Sequence, residues 1–299
     1  MPKSPRSPLF SPSFQPRRRA LAVAIGMPPW LVGCAHRPAA AEFAALEQRS
    51  GGRLGVAAVG STGVFAAWRA EERFPFTSTF KAFLAAAVLD RSTREPALLQ
   101  RRLRYTAAEL HTYAPVTREH LADGMTVEEL CAAAVMHSDN VAANLLIRLL
   151  GGPRVLTEYM RSLSDPDFRL DRYEPELNTA LPGDPRDTGT PLRVAFALQK
   201  LVLRDALPAA PRQRLVGWLR GNTTGDRRIR AGVPPGWIVG DKTGTGDYGT
   251  TNDIAVLWPP GGEPVVLALY FAQATPDARA REEVLVEATR LVLVSRPGR

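Results

Sequence analysis

Cysteine is almost missing from this chain: 299 residues carry two, Cys34 and Cys131. They leave room for one pairing at most, and the apolar setting of Cys131, LCAAAV, reads as a buried thiol rather than a reactive one. Histidine is also scarce. His36, His111, His120 and His137 have neither the i,i+4 spacing of a zinc helix nor cysteines beside them, which argues against a metal site. No internal repeat is visible, and no unbroken apolar run is long enough for a permanent membrane-spanning helix. What remains is globular material, 45% hydrophobic and 23% charged, enough for one large core or two modest ones.

The first 33 residues differ from the rest. A Ser/Pro-rich start leads to Arg17-Arg18-Arg19 and then to ALAVAIGMPPWLVG, ending at Cys34. A basic region, a short apolar region and small residues before a cleavage point are the parts of a secretory signal. Leu31-Val32-Gly33-Cys34 also resembles a bacterial lipobox, which would lipidate Cys34 and make it the mature N-terminus. The arginines faintly resemble a twin-arginine export signal, without its usual phenylalanine. The expected location is therefore periplasmic, with a lipoprotein anchor at Cys34. Removing the five bases of residues 1–33 leaves 33 bases against 30 acids, so the net charge of +8 falls to +3 and lends no support to a nucleic-acid partner.

Along the mature chain, a helical stretch near residues 39–50 precedes RLGVAAVG and GVFAAWRA, two strand-like runs around a Gly60-Ser61-Thr62-Gly63 turn. Helical patterns follow: residues 77–90 with apolar Phe80, Leu84, Ala87 and Val88, a capping box at Thr126–Glu129, a helix over 140–150 stopped by Gly151-Gly152-Pro153 with another directly after it, and one opened by Thr190-Pro191. Residues 171–191 show no period and hold Pro175, Pro182, Pro185 and Pro191; so long a loop is more often functional than idle. From Trp237 the pattern returns to three strands, and Thr275-Pro276 is expected to open a last helix. Two strands at one end and three at the other predict a single sheet completed by both ends, with a helical lobe between and a cleft where they meet.

Gly244-Thr-Gly-Asp-Tyr-Gly249 matches GxGxxG but leads into a strand, not a helix, so a dinucleotide site is rejected; the glycines would serve a turn and a close ligand approach. Four other stretches converge on one chemistry. Ser78-Thr-Phe-Lys81 places a hydroxyl and an amine at i,i+3, one face of a helix, where a partly desolvated lysine can take the serine proton. Near the helix start, the Ser78 N–H is free to donate to an anionic oxygen. Ser138-Asp139-Asn140, Glu174-Pro-Glu-Leu-Asn178 and Lys242-Thr243-Gly244 follow in that order. Each alone reads blandly, as a helix cap, a surface acid and an edge lysine; together they are specific.

This set resembles the class A serine β-lactamases over residues 40–294, and KTGTGDYGTTNDIAVLWPP is similar to chromosomal, penicillinase-type members of Gram-negative bacteria. The resemblance implies the β-lactamase/D,D-peptidase-like fold: α/β plus all-α, a five-stranded antiparallel sheet flanked by helices, and a helical lobe. Residues 34–68 and 220–299 would form the α/β lobe, and residues 69–219, with the loop 171–191, the helical one. It implies that Ser78 is the acylated nucleophile, Lys81 the acylation base or shuttle, Ser138 the proton donor to the ring nitrogen, and Glu174, with Asn178, the group that activates the deacylating water. Asn140 would hold the substrate's acylamino side chain. Lys242, Thr243 and Thr245 would hold its carboxylate. The backbone N–H groups of Ser78 and Thr245 would form the oxyanion hole.

The resemblance also implies a cis bond before Pro175, an Arg172–Asp187 pair closing the loop, Tyr113 at the mouth, and Arg228 reaching the carboxylate. Arg228 could instead be one of a wet basic run with Arg227 and Arg230. Two departures bear on activity. Ala85 stands where a disulfide partner for Cys131 would, and Thr77 and Gly246 stand where several carbapenem-hydrolysing members carry a cysteine pair, which argues against strong carbapenem turnover. Penicillins and cephalosporins are the expected substrates, with no cofactor, no obligate protein partner and a monomeric state. The competing reading, a penicillin-binding D,D-peptidase with a long-lived acyl-enzyme, gives no role to Glu174 and Asn178.

Overall fold

The computed structural model describes residues 37–110 and 112–296. Cys34 and the leader, on which the expectations of export and lipidation rest, lie outside the described residues. In chain order, α1 (Arg37–Ser50) is followed by β1 (Arg53–Gly60), β2 (Gly63–Trp68) and the helices α2 (Phe80–Ser92), α3 (Val127–Met136), α4 (Asn140–Leu150), α5 (Pro153–Ser162), α6 (Pro191–Leu203), α7 (Ala209–Arg220) and α8 (Ile229–Gly232). Then come β3 (Ile238–Gly246), β4 (Thr250–Trp258), β5 (Val265–Ala272) and α9 (Glu282–Val294).

The five long strands form one antiparallel sheet in the order β2-β1-β5-β4-β3. The two ends of the chain join where Val56 of β1 lies opposite Leu269 of β5. Side chains alternate across the strands, and both alternating sets are apolar because both faces are covered. Ala57, Val59, Val256, Ala268 and Tyr270 pack into a cluster with the helices from α2 to α7. Ala58, Leu257, Leu267, Leu269 and Phe271 pack with Phe43 and Leu46 of α1 and with Val284, Leu285 and Val292 of α9. Strand β3 is left at an edge, with one side available to a ligand.

The local signals act as their chemistry predicts at most boundaries. Thr126 and Glu129 form the capping box of α3, Asp139 caps α4 through the Ala142 N–H, Gly151 ends α4 at φ 108°, and Pro153 and Pro191 open α5 and α6. Three features differ from the sequence reading. A single 3-10 turn, Thr77–Thr79, precedes α2, so Ser78 sits just before the α-helix rather than in it. Phe80 through Leu89 are all buried, Lys81 included, because α3, α4, α5 and α7 enclose α2; the apolar stripe expected there is a whole circumference. The last helix starts at Glu282 rather than after Pro276, since the intervening segment caps the sheet: Pro276 O accepts from Tyr248 N–H and Thr251 Oγ1 from Arg281 N–H.

Candidate active site

The serine turn is held from three directions. Phe76 stacks on Phe168 with ring centroids 4.6 Å apart. The buried, β-branched Thr77 sits at φ 45°, a strained conformation for such a residue, and the Asn252 amide holds it by donating to Pro75 O (2.8 Å) and Thr77 Oγ1 (3.1 Å). Strand β3 closes the third side. A Cβ at Gly244 would lie 2.1 Å from Thr77 Oγ1 and 3.2 Å from Ser78 N, and one at Gly246 would lie 2.6 Å from Asn178 O. These glycines therefore admit the protein's own nucleophile turn and loop, a requirement beyond the expected ligand approach, and Gly244 also lines the pocket over Ser78.

Beyond that turn, Ser78 Oγ is 2.9 Å from Lys81 Nζ and 3.4 Å from Glu174 Oε1. Lys81 Nζ also reaches Glu174 Oε1 (2.9 Å), Ser138 O (2.8 Å) and Asn140 Oδ1 (2.5 Å), with no exposure of either charged side chain. Burial pushes the Lys81 amine below the usual lysine range, and the Glu174 carboxylate opposes it. An amine so placed is poised to take a proton from Ser78. On the other side of Ser138, Lys242 Nζ donates to Ser138 Oγ (3.0 Å) and Thr243 O (2.9 Å). Its amine lies well below the ordinary value, first through burial and then through repulsion by Lys81.

The 171–191 loop brings in the carboxylate. Glu174 precedes a cis peptide to Pro175, and the Asn178 Nδ2 donates to Glu174 Oε2 while Asn178 Oδ1 stays buried without a protein partner among the described residues. Arg172 Nε donates to Asp187 Oδ2 (2.6 Å), and Asp187 Oδ1 accepts from the N–H groups of Asp171 (2.8 Å) and Arg172 (3.1 Å). A pocket of about 290 Å³ opens over Ser78, bounded by Ser138, Asn140, Asn178, Thr243 and Thr245, with Tyr113, 57% exposed, on its rim. A larger cavity of about 730 Å³ behind the loop, lined by Leu181, Pro182 and Arg53 among others, contains none of the site residues.

A serine, two buried lysines and a loop carboxylate around one pocket can be set beside known proteins. The profile of the Beta-lactamase enzyme family matches residues 38–293. The chain is 53% identical to "Beta-lactamase OXY-2" of Klebsiella oxytoca over 83% of this chain and 86% of that protein. It is 54% identical to "Carbapenem-hydrolyzing beta-lactamase KPC" of Klebsiella oxytoca over 84% of this chain and 86% of that one. The solved β-lactamase of Desulfarculus baarsii DSM 2075 superposes with a TM-score of 0.86 at 52% identity, covering 88% of this chain and 98% of that one. The chain belongs to the β-lactamase enzyme family. It is a class A serine β-lactamase.

In this β-lactamase the two-residue period of β3 divides its functions. Lys242 and Gly244 face the serine turn, while Asp241, Thr243 and Thr245 face the segment between α7 and α8. From that segment comes Arg228, which is 5% exposed and no part of a wet basic run. Its Nη1 donates to Gly244 O and Asn252 O, each at 2.7 Å, and its Nη2 donates to Thr245 Oγ1 at 2.7 Å. Glu282 Oε1, 3.5 Å from Nε, is its counter-charge. One Nη2 hydrogen remains, and Arg228 lines the pocket. Arg230, by contrast, pairs with the buried Asp241, and Arg227 is exposed beside Glu282.

Sequence reasoning missed several supports. Asn144 accepts from Glu174 N–H (2.9 Å) and donates to Glu174 O (2.8 Å), fixing the backbone of the loop carboxylate. Its i,i+4 spacing from Asn140 on α4 was the available signal. Lysine scarcity was another: the chain has four lysines, and two of them, Lys81 and Lys242, are fully buried here. Thr224 also lines the pocket beside Thr243, and Asn222 supports it from behind by accepting from its hydroxyl, in a segment without periodicity that offered no signal.

Proposed function

We propose that the protein hydrolyses the amide bond of β-lactam antibiotics through a Ser78 acyl-enzyme, giving resistance to them. The observation that carries this is Ser78 Oγ set between Lys81 Nζ at 2.9 Å and Glu174 Oε1 at 3.4 Å. Ser78 Oγ attacks the ring carbonyl carbon while its proton passes to Lys81 Nζ. The developing oxyanion is received by the backbone N–H groups of Ser78 and Thr245, the latter on the edge strand. Ser138 takes the proton that Lys81 received from Ser78 and gives its own hydroxyl proton to the nitrogen as the ring C–N bond breaks. Lys242, donating to Ser138 Oγ, leaves that proton free to go. Glu174 then takes a proton from a water held with Asn178, and the resulting hydroxide attacks the ester carbonyl. As the C–O bond breaks that proton passes to Ser78 Oγ, returning Ser78 and Glu174 and releasing the ring-opened acid.

Asn140 receives the acylamino side chain, Tyr113 forms the outer wall, and Thr243, Thr245 and Arg228 receive the carboxylate. Arg172 and Asp187 keep the loop closed over the ester. Glu174 within reach of Ser78 separates this enzyme from a D,D-peptidase that would stay acylated. Penicillins and cephalosporins are its proposed substrates. Carbapenem turnover is expected to be weak, since Thr77 and Gly246 stand where several carbapenem-hydrolysing members carry a cysteine pair. Imipenem hydrolysis tests this against the 54% identity to a relative named for carbapenem hydrolysis. The enzyme acts as a monomer in the periplasm, exported by residues 1–33 and anchored by a lipid on Cys34.

Purified protein should open a chromogenic cephalosporin well above buffer; acylation without turnover would return the assignment to the D,D-peptidases. Glu174→Ala should accumulate a covalent benzylpenicillin adduct by mass spectrometry and lose about 10²–10⁴-fold in turnover, as expected when a general base is removed. Mass spectrometry of the mature N-terminus tests the anchor: an unmodified end would refute it.

A further inference from the structure

Two threonines face the carboxylate side of the pocket, and their hydroxyl protons can be placed by counting donors. Thr245 Oγ1 accepts from Arg228 Nη2, and a guanidinium can only donate, so the Thr245 proton is free to point into the cleft. Thr243 is different. Its Oγ1 lies 2.5 Å from Thr224 Oγ1, so one of the two hydroxyls donates to the other. Thr224 Oγ1 also lies 2.8 Å from Asn222 Oδ1, which accepts from Thr224 N–H at 3.2 Å as well.

The Asn222 amide orientation is determined twice. That backbone N–H requires an acceptor, and on the opposite side Asn222 Nδ2 donates to Asp241 Oδ2 (2.5 Å), while Asp241 Oδ1 accepts from Arg230 Nε (2.6 Å). An amide oxygen cannot donate. The arrangement with the most hydrogen bonds in the free protein therefore has Thr224 donating to Asn222 and Thr243 donating to Thr224. The Thr243 proton then points away from the cleft and its lone pairs toward it, the wrong polarity for an anion. A carboxylate at this site can be met by Thr243 only if both hydroxyls turn, Thr224 then donating to Thr243 and Asn222 keeping the Thr224 N–H.

We propose that Thr224 is a positioning residue for the substrate carboxylate, acting through a reversible two-hydroxyl chain that holds the Thr243 donor turned away until an anion binds. This rests on the reading that a β-lactam carboxylate sits against Thr243 and Thr245. Binding exchanges the Thr224-to-Asn222 hydrogen bond for the one from Thr243 to the anion, and the chain opposes binding by about one neutral hydrogen bond, a factor of roughly 3 to 10 in affinity.

The test uses the full enzyme on a Ser78→Ala background, where no acylation intervenes, with benzylpenicillin and its methyl ester as probes in calorimetry. Thr224→Val should tighten Kd for the acid about 3- to 10-fold and change that for the ester by less than about 2-fold, while Thr224→Ser should restore the starting value. Unchanged or weaker binding of the acid in Thr224→Val overturns the proposal. Thr245→Val is the control for the underlying reading: it should weaken the acid alone, and an equal effect on acid and ester would remove the carboxylate from this site altogether. Should Thr224→Val fail to fold, neutron diffraction of the free enzyme decides. A deuteron on Thr243 Oγ1 directed at Thr224 supports the chain, and one directed into the cleft refutes it.

Discussion

Replacing Arg172 with alanine tests whether the 171–191 loop is held by one buried ion pair. Asp187 is fully buried at φ 54°, and its carboxylate has three donors: the N–H groups of Asp171 and Arg172 on Oδ1, and Arg172 Nε on Oδ2 at 2.6 Å. Arg172 Nη1 also donates to Thr179 Oγ1 (3.0 Å), one residue beyond Asn178. Arg172→Ala removes the only ion-pair partner of Asp187 among the described residues but leaves both backbone donors. Breaking one side of a buried pair costs about 3–5 kcal/mol, and the surviving donors together with the 18% exposure of the Arg172 side chain place this one near the lower end. About 3 kcal/mol corresponds to a fall in melting temperature of roughly 6–12 °C for a protein of this size. The assay is thermal unfolding of Arg172→Ala, Asp187→Asn and the double variant, with a parallel measurement of acyl-enzyme lifetime. The double variant should lose less than the sum of the singles, and the lifetime should lengthen because Thr179 no longer steadies Asn178. A loss below about 1 kcal/mol for Arg172→Ala, or strict additivity of the pair, would refute the reasoning.

Three further outcomes are expected. Gly244→Ala, whose Cβ would lie 2.1 Å from Thr77 Oγ1 and 2.9 Å from Phe76 O, should push the serine turn off β3 and abolish acylation; near-normal nitrocefin turnover would contradict the close packing. Asn144→Leu leaves the buried Glu174 N–H without its acceptor and should destabilise the protein by about 1–3 kcal/mol while slowing deacylation more than acylation, measured by stopped-flow; equal slowing of both steps would argue against it. The hydrogen bond and charge of Arg186 hold the Asp184 carboxyl down at about 2, below its ordinary 3.8. Its stabilising contribution is therefore fully present above about 3.8 and lost as pH falls through about 2, and Arg186→Ala should move the NMR titration of Asp184 up toward 3.8.

Much of the site was legible because its chemistry sits in short local patterns. Ser78 and Lys81 are neighbours by helical spacing, Asp139 caps the helix that Asn140 opens, and a Thr-Gly-Thr run on a strand alternates faces. Arg228 was legible in part: similarity suggested its role, but its place in a run of three arginines suggested a wet surface. Only the approach of α9 and β4 shows it buried, with Glu282, Gly244 and Asn252 around it. The start of the last helix was misread because a Thr-Pro pair is a local signal, and here the demand of the sheet end for hydrogen-bond partners outweighed it.

The sequence by itself determined most of the elements and the pairing of both chain ends into one sheet, which depend on periodicity and spacing within a few residues. The identity of the acyl-transfer groups came from the resemblance of its short motifs to a known family, and α7, α8 and the start of the last helix were left to the fold. The tertiary structure decided which charges are buried and which way protons point. Lys81 and Lys242 lie 161 positions apart yet flank the same serine, and each has its amine lowered by an enclosure that no local pattern encodes. Thr224 and Thr243 share one hydrogen across 19 positions, and its direction follows from Asn222, Asp241 and Arg230 together. Desolvation and donor direction are properties of a whole surrounding, and a surrounding exists only once the chain has folded.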